Sequence, residues 1–274
     1  MGDFTPEDLS AKRSQDGKAL TDAMKKAGFD PARVGDAKRD LSDLQCFLEL
    51  HIEQGPVLES AGEAIGIVTS IAGQERFSIR FTGQPDHAGA APMELRRDAF
   101  AAAARFADRF RDMILADASG TLRGTIGMMK LAPNQANVVP GEVRLALEIR
   151  DCDSHALARA ARATEVLAAS VAGQFGCEAG TRRLYSEKPM PMSPDLQDAL
   201  HNAAQKHGFA ARRLPSGANH DTGILAGYIP AAMLFVPSRG GRSHCPEEHT
   251  DWELIAQAIA VMEEAMRQIS ENAS

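Results

Sequence analysis

The chain has 274 residues, 44% of them hydrophobic, enough for one large domain or two modest ones. Its 30 basic and 37 acidic residues leave a net charge of −7, and with no basic stripe this disfavours a nucleic-acid partner. There is no apolar run of the roughly 18 residues that spans a bilayer, the start MGDFTPEDLSAKR lacks an apolar signal core, and Cys46, Cys152, Cys177 and Cys245 show no paired spacing, so no membrane contact and a reduced, cytoplasmic setting are expected.

Over Lys18 to Lys26, Leu20, Met24 and Ala27 recur at helical spacing, and Gly28 and Pro31 end that helix. ELHIEQGPVLE follows at 49 to 59, then GIVTSIAG, a short apolar run between glycines that reads as a buried strand leading into a hinge. From Arg76 the period becomes two: Phe77, Ile79 and Phe81 alternate with Ser78, Arg80 and Thr82. A helix is expected from Arg97 to Leu115, with Ala99, Ala103, Phe106, Phe110 and Met113 on one stripe. A weaker strand covers Thr125 to Leu131. A clear one sets Val143, Leu145, Leu147 and Ile149 against Arg144, Ala146, Glu148 and Arg150. Asp153 or Ser154 can cap the next helix, which turns Leu157, Ala161, Leu167, Val171 and Phe175 inward, and a strand lies near Thr181 to Tyr185.

The order strand, helix, strand, strand, helix, strand is that of a ferredoxin-like unit with both helices on one sheet face. Arg150 alternates away from Ile149 and points to the other, open face. An open face or free edge suits a partner. Beyond it come a helix from Ser193 with Leu196, Leu200, Ala203 and Ala204, the loop SGANHD, a strand at Ala232 to Val236, the loop SHCPEEHT, and a helix from Trp252 to Ile269. The fold class is therefore α/β: one discontinuous domain, residues 1–72 and 187–274, with an inserted ferredoxin-like α+β unit, residues 73–186.

Four clusters carry chemistry. HIEQGPVLE sets His51 among Glu49, Glu53, Glu59 and Gln54, before the turn Gly55-Pro56, a setting for metal ligation or acid–base work. The others are PDHAGAAPMELRRDA from Pro85, PNQANVVPG from Pro133, and SGANHD from Ser216 with SRGGRSHCPEEHT from Ser238. Single residues in and near them have plainer readings. His51 can be a strand-end or helix histidine bonded to a carboxylate, His87 a turn residue held by Asp86, and Arg150 a solvated strand-end charge paired with Glu148 or Asp151.

Together the clusters resemble the N-carbamoyl-L-amino-acid hydrolases and allantoate amidohydrolases, a family within the two-metal aminoacylases and carboxypeptidases. The resemblance runs from about Asp16 to about Ile269. It implies a metal-dependent hydrolase of linear amide or ureido C–N bonds, using two divalent ions (zinc, manganese, cobalt or nickel) and a small substrate bearing a carboxylate. It assigns His51 to one metal and His244 to the other; Glu248 can either orient His244 or be a solvated loop acid. It gives His87 the scissile carbonyl oxygen, catalytically as an oxyanion donor, and the substrate to Gln54, Asn137, Arg150 and Gly217. It makes residues 73–186 a lid through which two copies dimerise.

Two departures stand out. The family loop reads Ser-Gly-Ala-Gly-His-Asp, whereas Asn219 precedes His220-Asp221 here, so those two can be a structural pair rather than ligands. The family also uses a His-x-Asp pair and a Glu-Glu pair from an N-terminal segment. No histidine precedes His51, no Glu-Glu pair precedes Glu247-Glu248, and Asp3, Glu7, Asp8 and Asp16 lack metal spacing. The two-metal site is accordingly expected to be incomplete and activity impaired. The alternatives are an aminoacylase or peptidase of the wider group, and a non-catalytic dimerisation or ligand-binding remnant.

Overall fold

The computed structural model of the chain describes residues 4–11, 14 and 17–272; Asp3 and Asp16 lie outside them. In chain order the elements are α1 (Pro6–Ala11), α2 (Leu20–Lys26), β1 (Phe47–Ile52), α3 (Val57–Ala61), β2 (Ile65–Ile71), β3 (Gly73–Thr82), α4 (Ala99–Leu115), β4 (Arg123–Ala132), β5 (Glu142–Asp151), α5 (Ser154–Gln174), β6 (Glu178–Glu187), β7 (Met190–Pro191), α6 (Pro194–Lys206), β8 (Ala211–Ser216), α7 (Asp221–Leu225), β9 (Ala231–Val236) and α8 (Trp252–Asn272).

They build two sheets, which makes the fold mixed α/β. The first has the order β1-β9-β2-β7, with β8 also on β2. β1 runs parallel to β9, and β2 antiparallel to it. α6 and α8 cover one face, where Ile65, Ile67, Leu200, Ala203, Leu234, Val261 and Ala265 are buried. Leu48, Leu50 and Ile52 pack on that cluster. Side chains of a strand alternate, so Glu49 and His51 face the other way, the side on which Leu58, Val68, Met233 and Phe235 cluster.

The second sheet has the order β4-β5-β3-β6, antiparallel throughout. That is the ferredoxin-like strand order, with α4 and α5 on one face. Asp98 caps α4 through Phe100 and Ala101 N–H, and Asp153 caps α5 through His155 N–H. Ala99, Ala103, Phe106 and Phe110 are buried as the stripe predicts, with Met113 half-buried. Phe106 lies 5.6 Å from Phe81 and 5.8 Å from Phe110, ring centre to ring centre. Ile149 is fully buried in this core, while Glu148 and Arg150 stand on the open face. Gly124 is forced by packing: a Cβ there would meet Ile114 and Phe110 carbons at 2.6 and 2.8 Å.

The structure adds α1, β1, α3, β7, β8 and α7 to the expected elements. α3 and α7 have five residues each and β7 has two, too short to show a period. β8 is ARRLPS, whose adjacent arginines and Pro215 hide its strand character. Among the described residues no helix is long and apolar enough to cross a membrane, and the four cysteines are unpaired.

Truncating Phe106 to Ala should cost about 3–5 kcal/mol, the usual toll for emptying a buried aromatic site. Urea unfolding followed by circular dichroism checks it; a loss below about 1 kcal/mol would show that this core is not packed around Phe106.

Candidate functional site

β1 delivers Glu49 and His51 to one face, and α7 begins where the loop after β8 meets them. His51 Nδ1 lies 2.8 Å from the Ile52 carbonyl. A carbonyl only accepts, so Nδ1 carries the proton and the Nε2 lone pair is left for a ligand. The His220 ring meets His51 edge-on at 4.6 Å and Phe235 at 5.6 Å. Glu49 Oε2 accepts from Thr222 N–H at 2.9 Å and from its hydroxyl at 2.5 Å, while Oε1 stands 3.9 Å from His220 Nδ1. Ligand atoms of Glu49, His51 and His220 lie within 4.8 Å of one another, which makes this the one three-residue group among the described residues able to hold a metal ion. Burial lowers the His220 pKa from 6.5 to about 4; His51 adds to the drop, and Glu49 and Asp221 oppose it.

The other acids of the first motif serve the backbone. Glu53 accepts from Val57 and Leu58 N–H at 2.8 Å each, fixing the start of α3. Glu59 accepts from Gly240 N–H at 2.7 Å. Of the three carboxylates in ELHIEQGPVLE, only Glu49 therefore stands in the His51 cluster.

These bonds hold the loop after β1 against the loop after β9. Gln54 N–H donates to Ser238 Oγ at 2.9 Å. Gly241, at φ 64°, lies so close that a Cβ would meet Pro56 N at 2.8 Å. Gln54 and His244 both take left-handed backbone, φ 60° and 59°, a conformation costly for a residue with a Cβ and one that clusters at functional sites. Their side chains meet, Gln54 Nε2 to His244 Nε2, at 3.3 Å. Glu248 touches His244 at its backbone, accepting from the N–H at 3.0 Å, rather than at the ring.

Gln54, Arg150, Gly217 and His244 all line one cleft of 740 Å³ between the two sheets. Arg150 spans it. Nε donates to Glu148 Oε1 at 2.5 Å and Nη1 to the Gly217 carbonyl at 2.6 Å. Glu148 also accepts from Gln74 and, at 2.7 Å, from Arg76 Nη2. Burial alone would raise the Glu148 pKa, but the hydrogen bonds from Arg150 and Arg76 hold it below the usual carboxylate value. The pairing with Glu148 that the sequence left open thus exists, and it aims the guanidinium at the cleft.

His87 and Asn137 are not in this cleft. They sit together beyond the far end of β3, where Ala88 N–H donates to the Asn137 carbonyl at 3.0 Å and His87 bridges to Val138. His87 Nδ1 accepts from Gly89 N–H at 3.1 Å, so Asp86 does not hold it. Arg150 pairs with Gln74 at one end of β3, and Thr82 marks the other, roughly 27 Å away at about 3.4 Å per residue. Asn219 keeps an ordinary backbone, since it is not among the described residues of positive φ; the loop does not need glycine there. His220 is the functional neighbour that the sequence reading set aside. Its signal was the i, i+2 spacing of Glu49 and His51, which puts two polar groups on one strand face and calls for a buried polar partner.

A family described as Peptidase family M20/M25/M40 matches residues 18–268. The chain is 36% identical over 260 residues to an N-carbamoyl-L-amino-acid amidohydrolase of Paenarthrobacter aurescens, covering 95% of this chain and 63% of that protein. It is 38% identical over 251 residues to an allantoate amidohydrolase of Bacillus subtilis, covering 91% of this chain and 60% of the relative. A crystal structure of an amidase of the hydantoinase/carbamoylase family from Burkholderia multivorans superposes with a TM-score of 0.86 at 35% identity, over 98% of this chain and 64% of that one. The chain thus spans less than two thirds of the length of these relatives.

In chelator-treated protein the buried, neutral His220 should make stability depend on pH. Its folded pKa lies below the unfolded one, so the unfolded chain binds the extra proton and stability falls as pH drops from about 6.5 to about 4, by on the order of 3 kcal/mol. His220→Gln should flatten that part of the urea-midpoint profile. An unchanged slope between pH 6.5 and 4 in the variant would mean that His220 is not the titrating group.

Proposed function

Because the chain belongs to peptidase family M20/M25/M40, we propose that it is the substrate-holding part of a metal-dependent amidohydrolase acting on linear amide or ureido C–N bonds, of N-carbamoyl-L-amino acids or of allantoate. The observation that carries this is the cleft in which Arg150 faces Gln54, Gly217 and His244. Arginine forms paired, charge-assisted bonds to a carboxylate, and Glu148 orients the fork. Gln54 supplies an amide for the ureido or amide group, and the exposed Gly217 a backbone contact.

His51 fits a metal ligand, because its Nε2 lone pair is free and Glu49 and neutral His220 stand beside it. His244, on a strained loop across from Gln54, would serve a second ion. Zinc, manganese, cobalt and nickel all suit such nitrogen and oxygen donors. Divalent ions held there would supply a nucleophilic water and a polarised carbonyl. Glu49, His51 and His220 form the one three-residue ligand group among the described residues, and His244 is not part of it. The chain should therefore hold substrate better than it holds two metals, and turn over weakly if at all.

His87 and Asn137 would serve this site as oxyanion donor and substrate contact. A second copy can bring them, since within one chain a strand length separates them from Arg150. The free edge of β4, with Met128 and Met129 half exposed, offers such a contact, so the unit of residues 73–186 is read as a lid that dimerises. The unpaired cysteines accord with a cytoplasmic setting.

Calorimetric titration with N-carbamoyl-L-alanine should show binding that Arg150→Lys weakens about tenfold or more, because lysine keeps the charge but loses the fork. Equal binding by the lysine variant would remove the basis of the reading. Ammonia release from N-carbamoyl amino acids or allantoate, with added manganese, should be negligible. Robust turnover lost in His51→Ala and in His244→Ala would show instead that this chain alone assembles a complete site.

A further inference from the structure

Arg150 is not the only cation aimed at the cleft. Arg123 of β4 lies directly opposite it in the register of β4 on β5 and lines the same cleft. Opposed residues of antiparallel strands share a face, with Cα atoms about 4.5–5.5 Å apart. Like charges so placed repel, and the arrangement does little to relieve them. Glu148, the acid beside Arg150, is already taken by Arg150, Arg76 and Gln74. Arg123 uses only Nη1, on the Gly120 and Leu122 carbonyls at 2.8 and 3.0 Å, and pairs with no carboxylate among the described residues. The other two arginines of the cleft differ: Arg212 is bound to Glu63, and Arg213 to Asp198. The cleft's own acid, Glu53, has both oxygens on backbone N–H groups.

We propose that Arg123 and Arg150 form a two-arginine clamp that selects substrates with two carboxylates, N-carbamoyl amino acids with an acidic side chain. The inference rests on the proposed function of this cleft and deepens it by naming the substrate class. Arg150 takes the carboxylate that all such substrates share. Arg123, one strand over, takes the side-chain carboxylate. Both arginines line the one cleft, so a ligand that carries two carboxylates there has a guanidinium for each. A bound dianion also cancels the repulsion that the empty pair carries, so the interaction is gained only with the acidic side chain. Allantoate, with its single carboxylate, leaves Arg123 unused.

The test titrates N-carbamoyl-L-aspartate and N-carbamoyl-L-alanine into the full chain and into its Arg123→Gln, Arg123→Lys and Arg150→Lys variants. The parent should prefer the aspartate compound about tenfold, the worth of one charge-assisted pair at a half-open site. Arg123→Gln should abolish that preference and leave binding of the alanine compound unchanged. Arg123→Lys should keep part of it, which separates lost charge from a disturbed strand. Arg150→Lys should weaken both compounds. An Arg123→Gln variant that retains the preference, or that weakens both compounds equally, overturns the clamp while leaving the cleft intact. Failure of both compounds to bind the parent, or indifference of both to Arg150→Lys, overturns the function proposed for the cleft and the clamp with it.

Discussion

The structure turns on the fork of Arg150. One arm rests on Glu148 of its own strand and the other on the Gly217 carbonyl, so a single side chain ties the open face of the four-stranded sheet to the loop after β8 on the five-stranded one. A guanidinium has five donors and no acceptor, and two engaged donors leave the rest of its plane for a ligand. The surroundings are arranged to keep it there. Glu148 is itself held by Gln74 and Arg76, so the carboxylate that aims Arg150 cannot easily swing away.

Local strain and burial are concentrated at the same place. The left-handed Gln54 and His244 and the backbone contact at Gly241 are sustained by bonds from Ser238, Glu248 and Glu59. The ring of His220 is buried against His51 and Phe235, at a cost that shows as its depressed pKa. Each of these choices is unfavourable locally and is compensated by neighbours, the pattern expected where function rather than stability sets the geometry.

Much of this was legible in the chain. The alternation of β3 and β5 and the stripes of α4 and α5 are strong periodic signals, and they alone place Ile149 inward and Arg150 outward. The motifs around His51, His87, Asn137 and His244 marked the chemical residues. Periodicity could not show which of them meet. Gln54 and Arg150 are brought together by the approach of two sheets, and His87 and Asn137 are kept apart by the length of β3; both are tertiary facts. Glu53 and Glu59 stand beside His51 in the motif, but a carboxylate looks the same in sequence whether it faces a histidine or caps a helix start. Arg123 carried no motif, and its meaning lies only in the register that sets it opposite Arg150.

The central claim is that a substrate carboxylate docks on Arg150 inside this cleft. Nuclear magnetic resonance of the arginine Nε–H groups, followed as N-carbamoyl-L-alanine is added, tests it most directly. A saturable shift of the Arg150 Nε–H signal together with the Gly217 amide is the predicted result. Shifts confined to residues outside the cleft, or none at saturating ligand, would contradict the account.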